Sequence, residues 1–374
     1  MIMPKRVLVQ GTGLIGTSVA LALRDKGTEV WLSDADPATA RLAADLGAGT
    51  VIADLRDAKG IADIALLAMP PAVVGRQLAH AQDCAVADVY TDVASVKVLP
   101  ARHARELGCD LETYVPAHPL AGRERHGPAA AQADLFLGRT WALCPLPETA
   151  PDAVDAVTAL AVACGADPVV TDPETHDRWV ALVSHAPHLV AVAMAARLAP
   201  SSVPADALKL AGQGLRDVTR IAAGDSSLWT QILAANAGPV AEVVAAVAED
   251  LAAVARLLGG LPAGTTAAEP PTTGTPTTGV TSLLDRGREG AGRIPGKHGG
   301  KPRNFTVVQV VLADRPGELA RLFNAAGAAG VNIEDIRLEH SPGLPVGVAE
   351  LSVRPDQAGR LLDAMEAGGW PVRR

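Results

Sequence analysis

The chain has 374 residues, enough for two or three domains, and its 48% hydrophobic content can fill their cores, although with 3% aromatics those cores must be built from Ala, Val and Leu. A net charge of −8 argues against a general nucleic-acid binder, while leaving room for a local basic pocket that takes a small anion. Four widely spaced cysteines with no CxxC pair (Cys84, Cys109, Cys144, Cys164) point to reduced thiols, with no metal site expected.

Met1 to Lys5 leads directly into a strand-like run with no charged-then-apolar leader, so a cytoplasmic protein is expected. The Ala/Val-rich stretches 189–199 and 240–258 are too short or too interrupted by charge to span a bilayer, which argues against a membrane protein. Residues 6–10 (RVLVQ) read as a strand that ends in Gly11-Thr12-Gly13-Leu14-Ile15-Gly16. A helix follows to about Lys26, then a second strand, Glu29–Ser33, closing on Asp34. Further strand-like runs at 63–69, 88–93, 141–145 and 168–172 alternate with helical stretches, which predicts an α/β domain over residues 1–172 with a mainly parallel sheet.

Residues 173–259 carry Ala, Leu and Val at helical spacing and predict an all-helical domain. Its apolar excess calls for helix or subunit packing, hence a homodimer. Residues 260–304 are Pro/Thr/Gly-rich, then Gly-rich and basic, and read as a flexible linker. Residues 305–374 regain periodicity in βαββαβ order, the pattern of a small ferredoxin-like domain.

Gly11, Gly13 and Gly16 form GxGxxG between a strand and a helix. Such glycines permit a tight turn, close approach of the backbone to a pyrophosphate, and close helix–strand packing. Leu14 and Ile15 open the helix whose free N–H groups would face the phosphates. Asp34 stands at the end of the second strand, where a ribose-binding carboxylate is required. With Asp36 nearby and no Arg directly after Asp34, the cofactor expected is NAD rather than NADP.

Three polar clusters interrupt apolar surroundings. His118 and Glu124 lie in VPAHPLAGRE, where the histidine read alone is equally a satisfied core residue. His185 and His188 lie in SHAPH, three apart on one helix face, with Pro187 expected to kink the helix. Arg216, Asp217 and Arg220 lie in GLRDVTR, which by itself is an ordinary solvated helix face, and Trp229 follows.

Taken together, GTGLIGTS, DVASVK at 92–97, HPLAGRE, SHAPH and GLRDVTRIA with the later Trp resemble the prephenate/arogenate dehydrogenase family in identity and order, over about the first 260 residues. Ala186 departs from that family's usual Leu. The resemblance implies a Rossmann-type NAD-binding domain followed by an all-helical substrate and dimerisation domain. It implies NAD-dependent oxidative decarboxylation of prephenate to 4-hydroxyphenylpyruvate in tyrosine biosynthesis. Arogenate dehydrogenase, which makes tyrosine directly, stays open as an alternative, and a β-hydroxyacid-type dehydrogenase is the more distant one. By the same resemblance His118 accepts the ring-hydroxyl proton and Ser95 positions that hydroxyl and the nicotinamide. Arg220 anchors a carboxylate, His188 contacts the substrate side chain, and Glu124 and His185 shape the entrance. Arg216 and Asp217 add to the pocket. Downstream, DRPGELARLFNAAGAAGVNIEDI resembles an ACT domain. That implies an amino-acid effector, naturally tyrosine, near Gly317, Asn332 and Ile333; a dimerisation module without a ligand is the alternative.

Overall fold

The computed structural model describes residues 3–122, 126–200, 203–261, 276–294, 305–340 and 345–373. It divides into two compact units, Met1–Ala248 and Glu249–Arg374.

In the first unit, strands β1 (Arg6–Gln10), β2 (Glu29–Ser33), β3 (Thr50–Val51), β4 (Ala62–Leu67), β5 (Ala87–Asp92) and β6 (Tyr114–Val115) form one sheet in the order β3-β2-β1-β4-β5-β6. Every pairing in it is parallel. The central strands are apolar on both faces, as a sheet covered on both sides demands: Val7, Leu8, Val9, Ile64, Ala65, Leu66 and Leu67 are all buried. One apolar cluster packs on each face, the first around Val9, Leu23, Trp141 and Leu160, the second around Leu8, Leu67, Leu78 and Tyr114.

The later strands depart from the expected single sheet. Strands β7 (Ala117–Pro119), β8 (Thr140–Leu143) and β9 (Asp167–Val170) make a separate three-stranded sheet in which β7 runs antiparallel to β8. Only Pro116 separates β6 from β7, so the chain changes sheets just before His118.

Among the described residues of 173–248 the regular structure is all helical, as their periodicity predicts. Asp172 caps the helix Pro173–Val180 by accepting from the Thr175 N–H, with Pro173 at the first position, where its missing N–H costs nothing. A π-helical turn, Ala181–His185, comes next, and Pro187 sits at the start of the continuing helix Ala186–Ala196. The expected interruption at Pro187 therefore takes the form of a wide turn. Among the described residues, Pro173–Ala196 is the one helix long and apolar enough to cross a membrane by length and composition. Its His176, Asp177, His185 and His188 are buried against the rest of the unit, while Trp179, Leu182, Val183 and Met194 are exposed.

In the second unit, β10 (Thr306–Ala313), β11 (Asp335–His340), β12 (Val346–Val353) and β13 (Val372–Arg373) form an antiparallel sheet in the order β11-β12-β10-β13. Helices Glu318–Ala328 and Pro355–Ala367 close a core around Val310, Leu322, Leu351 and Met365. The element order is the expected βαββαβ.

One expectation needs correction. The stretch 260–304, read as linker throughout, contains the helix Pro276–Ala291. Pro276 stands at its start, where proline is tolerated. Asp250 accepts from Arg286 at 2.7 Å, and Asp285 pairs with Arg288 one turn on. The Thr, Gly and Pro content of the segment as a whole masked the short helical run VTSLLDRGREGA within it.

Candidate active site

The turn after β1 is built for a close backbone approach. Gly11 has φ +93°, and a Cβ there would lie 2.1 Å from the Ala68 carbonyl oxygen. At Gly16 a Cβ would lie 2.0 Å from the Gly11 oxygen, so the helix Leu14–Arg24 can pack this tightly only with glycine. Gly13 faces open space and precedes a helix with no side-chain cap, which leaves the first N–H groups available to an anion. Leu14 and Ile15 supply backbone there, while their side chains pack on the core. Asp34 accepts from the Thr12 N–H at 2.6 Å and the Thr12 hydroxyl at 3.0 Å through one oxygen, and from the Asp36 N–H at 2.9 Å through the other. The carboxylate is thus fixed beside the glycine turn, as a ribose-binding acid must be. These features fit a dinucleotide.

Where the second sheet begins, β7 carries His118. Its Nδ1 lies 3.0 Å from His176 Nε2, and His176 Nδ1 lies 2.8 Å from Asp177 Oδ1. Asp177 Oδ1 also accepts from the Lys97 backbone N–H at 2.8 Å, and Oδ2 from the Val98 N–H at 3.0 Å. The helix Val98–Glu106 has no side-chain cap of its own, so Asp177 caps it from 80 residues away, with its charge at the positive end of the helix.

Lys97 is buried completely, as is Asp92, with which it forms an ion pair. Its Nζ also donates to the Ala117 carbonyl, and Tyr114 Oη donates to Asp92 Oδ2 at 2.7 Å. A buried charge pair with its remaining polar atoms satisfied thus sits beneath the His118 strand.

His118 keeps some exposure. Loss of water around the ring is nevertheless the main cause that drives its pKa well below the ordinary histidine value, with the neighbouring His176, Lys97 and His185 acting in the same direction. His185 is buried, and desolvation lowers its pKa to about 4, against the opposing pull of Asp177. Burial also lowers that of His188. Both histidines border Trp229: His188 stacks on the indole at 3.5 Å between centroids, and His185 meets it edge-on at 6.1 Å. A Cβ at Gly224 would collide with that indole.

The structure therefore brings His118, His185 and His188 into one region. Ser95 is half-buried in the turn between β5 and the helix Val98–Glu106, and the link from that turn to the His118 strand is made by Lys97. Arg216, Asp217 and Arg220 lie exposed on the helix Gln213–Arg220, with Asp217 accepting from Gln213 Nε2 at 2.9 Å. Glu124 lies outside the described residues. His176, Asp177, Asn236 and Lys97 were not singled out from sequence. The signal for Lys97 was present in DVASVK, whereas THDRW reads as an ordinary amphipathic helix.

In the second unit a cavity of about 710 Å³ is lined by Phe305, Phe323, Asn332, Ile333, Asp335 and Ser352, among others. Asn332 and Ile333 thus face one hollow. Gly317 instead begins the helix Glu318–Ala328 in a left-handed conformation and is not among the cavity's lining.

Residues 19–170 match the family described as "Prephenate dehydrogenase, nucleotide-binding domain", and residues 172–260 match "Prephenate dehydrogenase, dimerization domain". The chain is 38% identical to the Streptomyces niveus protein named "Probable prephenate dehydrogenase NovF", over 98% of this chain and 99% of that one. It is 31% identical to the prephenate dehydrogenase of Bacillus subtilis, over 63% of this chain and 65% of the relative. Among solved structures, prephenate dehydrogenase from A. aeolicus in complex with hydroxyphenyl propionate and NAD+ is similar with a TM-score of 0.65 and 25% identity, covering 78% of this chain and 97% of that one.

Proposed function

The chain belongs to the prephenate dehydrogenase family, and from that premise we propose a division of labour among its residues. The protein is an NAD-dependent prephenate dehydrogenase that converts prephenate to 4-hydroxyphenylpyruvate. NAD, held by the Gly11–Gly16 turn and Asp34, supplies the hydride acceptor.

Prephenate is a dianion whose ring hydroxyl stands opposite a ring carboxylate. As the hydroxyl-bearing carbon is oxidised, the hydroxyl must give up its proton, the carboxylate leaves as CO2 and the ring becomes aromatic. Aromatisation drives the bond breaking, so the protein has to bind two negative charges, orient the ring and accept one proton. His118 Nε2 accepts that proton. The observation that carries this role is the placement of His118, partly exposed on β7 with its Nδ1 held 3.0 Å from His176 Nε2, so that Nε2 is the ring nitrogen left for a substrate. Ser95 orients the hydroxyl and the nicotinamide. Arg220 binds a carboxylate, for which its planar fork is suited, and Arg216 adds positive charge with Asp217 beside it. His185 and His188 with Trp229 border the substrate side chain, and Glu124 closes the entrance.

The helical region pairs two copies of the chain. The exposed apolar residues Trp179, Leu182, Val183 and Met194 support this, as does the dimerisation family matched by 172–260. The second unit serves as an ACT-like regulatory module whose effector is an amino acid, tyrosine being the natural feedback ligand. The cavity at Asn332 and Ile333 supports that reading. The protein works in the cytoplasm.

The test is direct. Purified protein is mixed with NAD and prephenate, and separately with NAD and arogenate, while NADH absorbance is followed; NADP replaces NAD in a parallel series. Faster NADH formation with prephenate is expected, whereas a higher rate with arogenate would reassign the substrate. Titration calorimetry with tyrosine, phenylalanine and tryptophan tests the regulatory module, and three blank titrations would remove it.

A further inference from the structure

Three nitrogen donors converge on the Asp177 carboxylate: the backbone N–H groups of Lys97 and Val98, and Nδ1 of His176. A carboxylate has no hydrogen to give, so at the remaining contact His176 must carry its hydrogen on Nδ1. A neutral His176 then presents a lone pair at Nε2, 3.0 Å from His118 Nδ1. Only one hydrogen fits between those two ring nitrogens. It comes from His118, which leaves His118 Nε2 bare.

The main-chain oxygen of the same residue acts on a second histidine. It accepts from Asn236 Nδ2 at 2.8 Å, and a carbonyl cannot donate, so this end of the Asn236 amide is its NH2 group. The same NH2 lies 3.1 Å from His185 Nδ1. With a hydrogen aimed at it, His185 Nδ1 must be the lone-pair nitrogen, and a neutral His185 carries its proton on Nε2. Asn236 is itself buried, so neither contact is shared with bulk water.

We propose that Asp177 is a positioning residue that assigns opposite tautomers to the two histidines: through its carboxylate and His176 it makes His118 Nε2 an acceptor, and through its carbonyl and Asn236 it makes His185 Nε2 a donor. The inference rests on the proposed function in taking His118 as the proton acceptor. This asymmetry suits the proposed reaction: one ring can take a hydroxyl proton while the other offers a hydrogen to an oxygen of an anionic substrate. When His118 takes the hydroxyl proton at Nε2 it becomes an imidazolium; its Nδ1–H stays on His176, and the Asp177 charge lies behind that pair. No proton on His176 or Asp177 has to move, and His118 returns the one it took to the phenolate oxygen once CO2 has left.

The tautomers can be read without turnover, which separates failure of this inference from failure of the assigned reaction. The full chain, labelled with ¹⁵N-histidine and saturated with NAD, is examined near neutral pH by long-range ¹⁵N–¹H spectra of the imidazole rings, with His118→Asn and His185→Gln identifying the two signals. Hydrogen on Nδ1 of His118 and on Nε2 of His185 is expected, and the reverse at either ring overturns the assignment. Kinetics add a second arm. His176→Leu should lower kcat roughly 10²-fold and leave the affinity for NAD unchanged. His176→Gln places an amide oxygen near the lost Nε2 and should recover most of that loss. Equal losses in the two variants would mean that His176 only fills space, and would also sink the proposal.

Discussion

The Nζ of Lys97 donates to the carbonyl oxygen of Ala117, so a fully buried cation grips the strand one residue before His118. The same ammonium is paired with Asp92, which is equally buried. Removing one member of such a pair strands the other charge without water. Lys97→Met is therefore expected to cost about 3–5 kcal/mol of stability, read by urea unfolding. A cost below about 1 kcal/mol, in the range of an exposed pair, would show that the cluster is hydrated in solution.

Replacing the proton acceptor should separate chemistry from binding. His118→Asn is expected to lower kcat by roughly 10²–10⁴-fold while NAD still binds as tightly. Steady-state kinetics with a parallel NAD titration would check both halves, and an unchanged kcat would remove His118 from its role.

The pH response follows from the same residue. A base works only unprotonated, so activity is lost as pH falls through its folded pKa. That value lies well below the ordinary 6.5 because burial above all, with His176, Lys97 and His185 close by, disfavours the charged ring. The acid limb of kcat/KM should accordingly lie below pH 6.5, and a limb at or above it would contradict the environment described. His185 adds a stability effect of the same sign. Its folded pKa of about 4 lies below the unfolded 6.5, so its contribution is fully present above 6.5 and is lost as pH falls toward 4. The unfolding temperature should decline across that window, and in His185→Gln it should decline less.

At the nucleotide turn, Gly11→Ala would set a Cβ against the Ala68 carbonyl at a backbone angle that alanine rarely adopts. NAD affinity should fall at least about tenfold, a cost of the size expected for such backbone strain. Equal NAD binding by calorimetry would show that the turn relaxes freely.

Much of this architecture is legible in the chain itself, because local patterns carried it. The β1–glycine–helix–β2–Asp34 run is contiguous, and its alternation of strand and helix dictates the parallel sheet. His118, His185 and His188 stand out as polar residues among apolar ones. The Asp177 network does not stand out, for a physical reason. His176 and Asp177 are adjacent and bonded to each other, while their other partners lie 58, 59 and 80 residues away. A helix cap normally sits within a few residues of the helix it serves, so nothing local marks Asp177 as the cap of Val98–Glu106. The antiparallel turn of β7 was hidden as well, since AHP is too short to display an alternating pattern.

The wide turn at Ala181–His185 also governs how distances along this chain translate into angles. Nine residues separate His176 from His185, and in an unbroken α-helix that spacing would leave them on opposite sides of the rod. A π turn takes up about one surplus residue and winds the following segment back by about 100°. The surplus residue thus brings His185 from the opposite side of the rod to within about 80° of His176. A one-residue deletion anywhere in 181–185 would give a more regular helix and a scrambled pocket: the two aims are opposed at this place, and the fold has settled in favour of the pocket.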